Sequence, residues 1–287
     1  MLIGVIGNGF VGQATVLLEC SEVQLIVYDI DPLLCKPVGT ELMDLLECEC
    51  IFISVPTPMK ANGECFIDIV EKVVNNLRDI NYMGFIVIRS TIPIGTCDRL
   101  KCYFMPEFLT ERNFCEDFKQ NKDWIFGVLD SSNDDAFKKT ITKLFTLSYL
   151  NNKILNNNIH FVLNKEAEMV KLFRNCILAT KVSFCNEINE FCKLKDINYE
   201  NVRKLACADK RILHSHSKVP GPDGKYGFGG TCFPKDTNSL RHQMKQVGMK
   251  GYVLNAIIER NDIVDRREKD WEKNLGRAVV DDSIQNK

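Results

Sequence analysis

The chain opens with an apolar run, residues 2–6, that leads straight into Gly7-Asn8-Gly9-Phe10-Val11-Gly12. A G-x-G-x-x-G set between an apolar run and a helical pattern constrains the fold more than any other feature of this sequence. Gly7 permits the tight turn after a strand. Gly9 leaves room for backbone to approach an anion, and Gly12 lets the following helix pack close to the strand. That helix start presents unpaired N–H groups and the positive end of a dipole, which suits a pyrophosphate. Alone the motif is weak. Here Asp29 follows the second apolar run, residues 23–28, and lies 22 residues after Gly7. An acid there holds a ribose 2′-hydroxyl and repels a 2′-phosphate, so the expected ligand is NAD rather than NADP.

Residues 2–6, 23–28, 51–55, 85–88 and 124–128 read as strands, and 11–19, 67–77 and 134–145 as helices. Strands separated by helices predict an α/β domain, a doubly wound parallel sheet with helices on both faces. Residues 31–40 carry two prolines and leave little room for a second helix, so that crossover should be short. The asparagine-rich stretch 151–158 reads as a loop near a boundary, giving one domain over 1–158 and a second over 159–287. Beyond it, residues 164–193, 201–208, 235–247 and 252–271 show helical spacing and predict an all-helical second domain. The polar segment 279–287 is expected to fray.

A formal net charge of −1 leaves no global field to recruit nucleic acid or an anionic membrane. The densest charge run, 266–273, alternates in sign and reads as a solvated helix face. No stretch reaches the ~18 apolar residues of a membrane span, and the apolar start is too short for a signal peptide. Thirteen cysteines without a C-x-x-C, and four histidines without ligand spacing, predict thiols in a reducing cytoplasm and no metal site.

Val-Pro-Thr-Pro (55–58) and Arg-Ser-Thr-Ile-Pro-Ile-Gly (89–95) close the third and fourth strands. Ligands bind at such carboxyl ends in open α/β sheets, so Thr57 and Thr91 can offer hydroxyls to a ligand. Further on, KVPGPDGKYGFGGTCFPKD (218–236) crowds glycines around one thiol. If a helix starts near Phe233 or Pro234, Cys232 sits at its N-terminus, where a thiol's pKa falls and N–H groups face an oxyanion. Pro234 suits a first helical turn. Asp236 would lie in that turn, placed to orient a water or accept a proton. Glu107 and Glu111 stand at i, i+4 and would share one helix face. Lys171 and Asn175, at the same spacing, could stabilise a developing oxyanion. Read alone, Cys232 is also one thiol among thirteen, and the two pairs are also ordinary surface features.

In this order, GNGFVG, VPTP, RSTIPIG, PEFLTE, KLFRN and GFGGTCFPKD resemble the UDP-glucose/GDP-mannose dehydrogenase family over residues 1–271. The resemblance implies a Rossmann-like NAD domain followed by a helical central domain that pairs two subunits into a homodimer. It implies oxidation of the 6-hydroxymethyl group of a nucleotide sugar, such as UDP-glucose, to a carboxylate with reduction of two NAD⁺. On this resemblance Cys232 is the nucleophile, adding to the aldehyde to give a thiohemiacetal and then a thioester. Lys171 and Asn175 would stabilise the oxyanion. Asp236 would position a water, Glu107 would assist hydrolysis, and Thr91 would lie beside the reacting centre. Besides the glycines Gly7, Gly9 and Gly12, the cofactor would meet Val11, Asp29, Thr57, Thr91, Glu111 and Lys235. Glu107, Lys171 and Asn175 would also touch the sugar, with Phe173, Gly221, Lys225 and Gly229. Arg211 would reach a neighbouring subunit's site.

The family normally continues into a third domain that holds much of the nucleotide, and residues 272–287 leave no room for one. Retained chemistry is expected, since every aligned catalytic position is intact, whether as a short enzyme with weaker or altered substrate binding or as a truncated or split product whose missing part acts in trans. Two other readings stay open: a two-electron β-hydroxyacid-type dehydrogenase, which has no need of Cys232, and an NAD-binding homologue with little turnover.

Overall fold

The computed structural model describes residues 1–281. The first half forms β1 (Leu2–Ile6), α1 (Phe10–Val16), β2 (Gln24–Tyr28), β3 (Cys50–Ile53), α2 (Asp68–Asp79) and β4 (Phe85–Ile88). It continues with α3 (Thr96–Leu100), β5 (Tyr103–Phe104), α4 (Phe114–Lys119), β6 (Trp124–Val128), α5 (Asp134–Leu150) and β7 (Ile159–Leu163). These strands make one sheet in the order β2-β1-β3-β4-β5-β6-β7. β1 pairs with β2 on one side and β3 on the other, so the strand order reverses there. That reversal is the switch point at which open α/β sheets bind ligands.

β3 is buried along its whole length, as a strand covered on both faces must be. One apolar layer joins Val5, Phe52, Val87 and Phe126 to Phe137 and Ile141 of α5. The other joins Ile6, Ile51, Ile53 and Ile88 to Val70, Val74 and Leu77 of α2. Those three positions of α2 recur every three or four residues, the stripe of a helix lying on a sheet. The second crossover is short, as expected: 3₁₀ turns at Pro32–Leu34 and Leu42–Leu45 stand where a helix would be. Val27 and Lys36 exchange two backbone bonds of 2.9 Å and close it against β2.

The sheet differs from the expectation in two ways. β5 and β6 run antiparallel, while the other pairs are parallel. β7 pairs with β6 from Trp124↔Ile159 to Val128↔Leu163, so the sheet passes the expected division at residue 158. Ile-His-Phe-Val-Leu is rich in β-formers, but its nearness to the asparagine loop masked it.

Two compact units result. One comprises Met1–Thr57 and Ile67–Lys171; the other comprises Pro58–Phe66 and the chain from Leu172 onward. The second contains most of α6 (Asn164–Leu194), then α7 (Tyr199–Ala206), α8 (Phe233–Gln246) and α9 (Tyr252–Arg260). α6 matches its expected range to within a residue. The helix expected over 252–271 instead ends at Arg260 and gives way to a π-helical turn, Asn261–Asp265. The expected fraying starts too early, because Met59 bonds Ala278 and Val280 through backbone at 2.8 and 3.0 Å. Residues 282–287 of that expectation lie outside the described residues.

Candidate active site

The first unit places its glycine turn at the switch point. The chain turns at Gly7 with φ +91°, where a Cβ would stand 2.5 Å from the Ser54 carbonyl oxygen. A Cβ on Gly12 would stand 1.9 Å from the Gly7 carbonyl oxygen, so no side chain fits at either place. A Cβ on Gly9 would meet nothing within 4 Å. The first turn of α1, which carries Val11, is therefore open to an anion at its positive end. Asp29 closes β2 beside this turn. Its Oδ2 accepts the Asn8 N–H at 2.7 Å and its Oδ1 the Asp31 N–H at 3.0 Å. A carboxylate has about four acceptor positions, so it can still take a ribose hydroxyl. Asn8 is buried, and its Oδ1 has no partner while its Nδ2 donates to the Leu34 carbonyl at 2.6 Å. An orphaned buried oxygen at the glycine turn is what a bound polar group would satisfy. These residues fit a dinucleotide.

Thr57 and Thr91 are both buried in the loops that follow β3 and β4. The Ser90 hydroxyl ties these loops, donating to the Val55 carbonyl at 2.7 Å. Arg89, passed over in the sequence reading, is 2% exposed beneath α1. It donates to the Val11 carbonyl at 3.2 Å and to the Thr15 hydroxyl, and lies over the Phe118 ring. Burial pulls its pKa down to about 10, opposed by the charge of Glu107, so it stays cationic at neutral pH. Its signal was available: an arginine ending an otherwise apolar strand.

The expected pairing of Glu107 and Glu111 on a helix face does not form. The segment between β5 and α4 is irregular, with Glu107 buried and Glu111 exposed. Pro106 disfavours helical backbone before it, and the Glu107 Oε2 accepts the Leu109 N–H at 3.0 Å. The other oxygen meets the Lys171 ammonium at 2.5 Å, and both side chains are buried. Burial raises the Glu107 pKa, but Lys171, the Leu109 N–H and Arg89 outweigh it and hold the carboxyl below its ordinary value. One turn earlier on α6, Glu168 is 1% exposed and accepts the Gly95 and Cys97 N–H groups at 2.5 and 2.9 Å. It thereby fastens the loop carrying Thr91 to α6.

The second unit places Cys232 as the residue capping α8, partly exposed, with Phe233 and Pro234 in the first turn. Asp236 sits one turn on, fully buried, and its N–H donates to the Cys232 carbonyl at 2.9 Å. The Asn175 amide donates to the Asp236 Oδ2 at 2.5 Å, and the Lys235 ammonium lies 3.7 Å from Oδ1. Asn175, Asp236 and Lys235 thus form one buried polar cluster at the start of α8. Phe173 is 56% exposed on α6. Arg211 is exposed and held by Asp209 in an ion pair of 2.6 Å. The Gly221 N–H donates a turn bond to the Lys225 carbonyl at 2.8 Å. The Lys225 ammonium is engaged by Asp270 at 2.7 Å and Glu268 at 3.2 Å. The space beside Gly229 is filled by the Arg266 guanidinium.

Most of the other thiols are buried. Burial pushes Cys48, Cys102 and Cys176 up to about 12, and Cys50 and Cys97 well above their ordinary value. Such cysteines are inert packing groups at neutral pH. Among the described residues no cluster could hold a metal, and no helix is long and apolar enough to cross a membrane.

A glycine turn at the switch point of a mostly parallel sheet, followed by a helical unit bearing its own polar cluster, is the architecture of the two-domain NAD-binding dehydrogenases. Residues 37–146 match the NAD binding domain of the UDP-glucose/GDP-mannose dehydrogenase family, and residues 165–263 match its central domain. The chain belongs to that family, and NAD is its cofactor. UDP-glucose 6-dehydrogenase of Rickettsia bellii is 32% identical over 232 residues, covering 76% of this chain and 50% of that protein. The enzyme of the same name from Campylobacter jejuni is 28% identical over 302 residues, covering 92% of this chain and 72% of its own length. The solved UDP-glucose dehydrogenase of Pyrobaculum islandicum shares the fold, with a TM-score of 0.76 at 23% identity, over 91% of this chain and 68% of its own. The chain spans about half the length of the Rickettsia relatives.

Proposed function

We propose that this chain oxidises the 6-hydroxymethyl group of a nucleotide sugar, with UDP-glucose the favoured substrate, to a carboxylate in two successive two-electron steps. The observation that carries the reading is Cys232, an accessible thiol at the start of α8 one turn from the buried Asp236–Asn175 pair. NAD, when bound, supplies a hydride acceptor at each oxidation. The Cys232 sulfur bonds to the aldehyde carbon, and the carbonyl oxygen becomes the hydroxyl of a thiohemiacetal. After the second oxidation that carbon is a thioester. Water adds to it, the C–S bond breaks, and carboxylate and thiol are returned.

Lys171 and Asn175 serve in this reading as cationic and amide donors to the oxyanion. Glu107, held anionic by Lys171, accepts the proton of the hydrolytic water. Asp236 orients that water, and Thr91 contacts the reacting end of the cofactor. Glu111, Lys235, Phe173, Arg211, Gly221 and Lys225 keep the cofactor and sugar roles that the family resemblance implies. A homodimer through the central helices belongs to the same reading. It is supported by Phe173, Ile177, Phe184 and Phe191, exposed at spacings of four and seven along α6.

The test is incubation with NAD⁺ and, separately, UDP-glucose, GDP-mannose and UDP-N-acetyl sugars, reading NADH and product mass. Two NADH per uronate are expected, and Cys232→Ser should fail to complete the oxidation. One NADH per product, with full activity in Cys232→Ser, would favour the two-electron reading. NAD binding without reduction by any of these sugars would leave a cofactor-binding module.

A further inference from the structure

We propose that Asn261 and Arg266, at the two ends of the π-helical turn after α9, are positioning residues that shape the glycine loop delivering Cys232. The inference rests on Cys232 being the reactive thiol. An unbroken helix was expected through residue 271, since the helical spacing continues past Arg260. The chain instead widens into the π turn, a distortion that recurs at functional sites.

What the break achieves is visible in its side chains. Asn261 is 1% exposed, and its amide matches both backbone polar groups of Phe228. Its Oδ1 accepts the Phe228 N–H at 2.8 Å, and its Nδ2 donates to the Phe228 carbonyl at 3.0 Å. Both backbone groups of this buried residue need partners, and the one Asn261 side chain supplies them. Arg266 is 2% exposed and donates to the Tyr226 carbonyl at 3.1 Å, to Asp223 at 2.5 Å and to Asp270 at 3.0 Å. From α6, the Asn186 side-chain oxygen accepts the Gly227 N–H at 3.2 Å.

The loop's glycines answer to these side chains. Gly227 has φ +66°, and a Cβ on it would lie 2.4 Å from the Asn261 oxygen. A Cβ on Gly229 would lie 2.4 Å from an Arg266 nitrogen. Gly229 was expected to contact the sugar; here its missing side chain makes room for the guanidinium. Cys232 follows Phe228 by four residues. The loop backbone therefore reaches the start of α8 already fixed at Tyr226, Gly227 and Phe228.

The experiment uses the full chain without sugar. Wild type, Asn261→Ala, Asn261→Asp and Arg266→Lys are treated with iodoacetamide across a pH series, and each cysteine peptide is quantified by mass spectrometry. Exposed Cys115 in the first unit serves as the reference, and buried Cys176 and Cys207 report loss of fold. In Asn261→Ala and Arg266→Lys, the Cys232 rate should change about tenfold and its pH midpoint should move, with Cys176 and Cys207 as protected as in wild type. Asn261→Asp, which keeps the acceptor for the Phe228 N–H, should recover part of the change. An unaltered Cys232 rate and midpoint in a folded variant would overturn the proposal. So would changes that track Cys176 and Cys207 labelling in all three variants. Wild-type turnover by Cys232→Ser would defeat the nucleophile assignment instead, and would leave the labelling result standing.

Discussion

Glu107 and Lys171 face each other at 2.5 Å with almost no access to water. A buried pair gains little over an apolar substitute, but removing one partner strands a charge at a cost of about 3–5 kcal/mol. Lys171→Met should therefore lower the urea unfolding free energy by about that much. The double variant with Glu107→Gln should lose clearly less than the two single losses added together. The Glu107 pKa is depressed in the folded state, so its contribution is present above the unfolded value of 4.5 and is lost as pH falls through the folded value. The variants should accordingly converge with wild type in acid. At this scale the sequence picked out both residues but did not pair them with each other. Glu107 was matched with Glu111 on a helix that does not form, because i, i+4 spacing is all that a string of letters offers.

Among the elements, the N-terminal segment of α6 does more than carry Lys171. Glu168 accepts two N–H groups at the start of α3, and burial pushes its pKa up to about 7 against the pull of those bonds. A raised folded pKa means stability that is fully present below the unfolded value of 4.5 and lost as pH rises through about 7. Comparing unfolding free energies across that window, wild type should lose about 3 kcal/mol relative to Glu168→Gln, whose side chain does not titrate. Parallel pH curves for the two proteins would count against the assignment. Element reading from sequence worked for the long period of α6 and for the short apolar run of β4. α6 and β4 were legible to within a residue. β5, with two residues, has no period to detect, and β7 was hidden by the asparagine loop before it. The helix predicted over 252–271 failed because the π turn is stabilised by its bonds to residues 223–228, over thirty positions away.

For the molecule as a whole, cofactor binding should appear as stability, since a ligand that binds only the folded state adds RT ln(1 + [L]/Kd). NAD⁺ at about 100 times its Kd should raise the unfolding free energy by about 2.7 kcal/mol. NADP⁺ at the same concentration should raise it far less, because the Asp29 carboxylate repels a 2′-phosphate. Equal stabilisation by both dinucleotides would remove Asp29 from that role. The sequence by itself determined the short-range features: the turn at Gly7, the acid after β2, the shortened crossover and a helix beginning at Cys232. Backbone dihedrals, side-chain period and helix caps depend on neighbours a few residues apart, so they can be read from order alone. Tertiary structure decided which thiols are buried and which stay accessible, which glutamate is drawn inside, and why the last helix breaks. Burial and the pairing of buried charges are relations between residues far apart in the chain, and no local spacing encodes them.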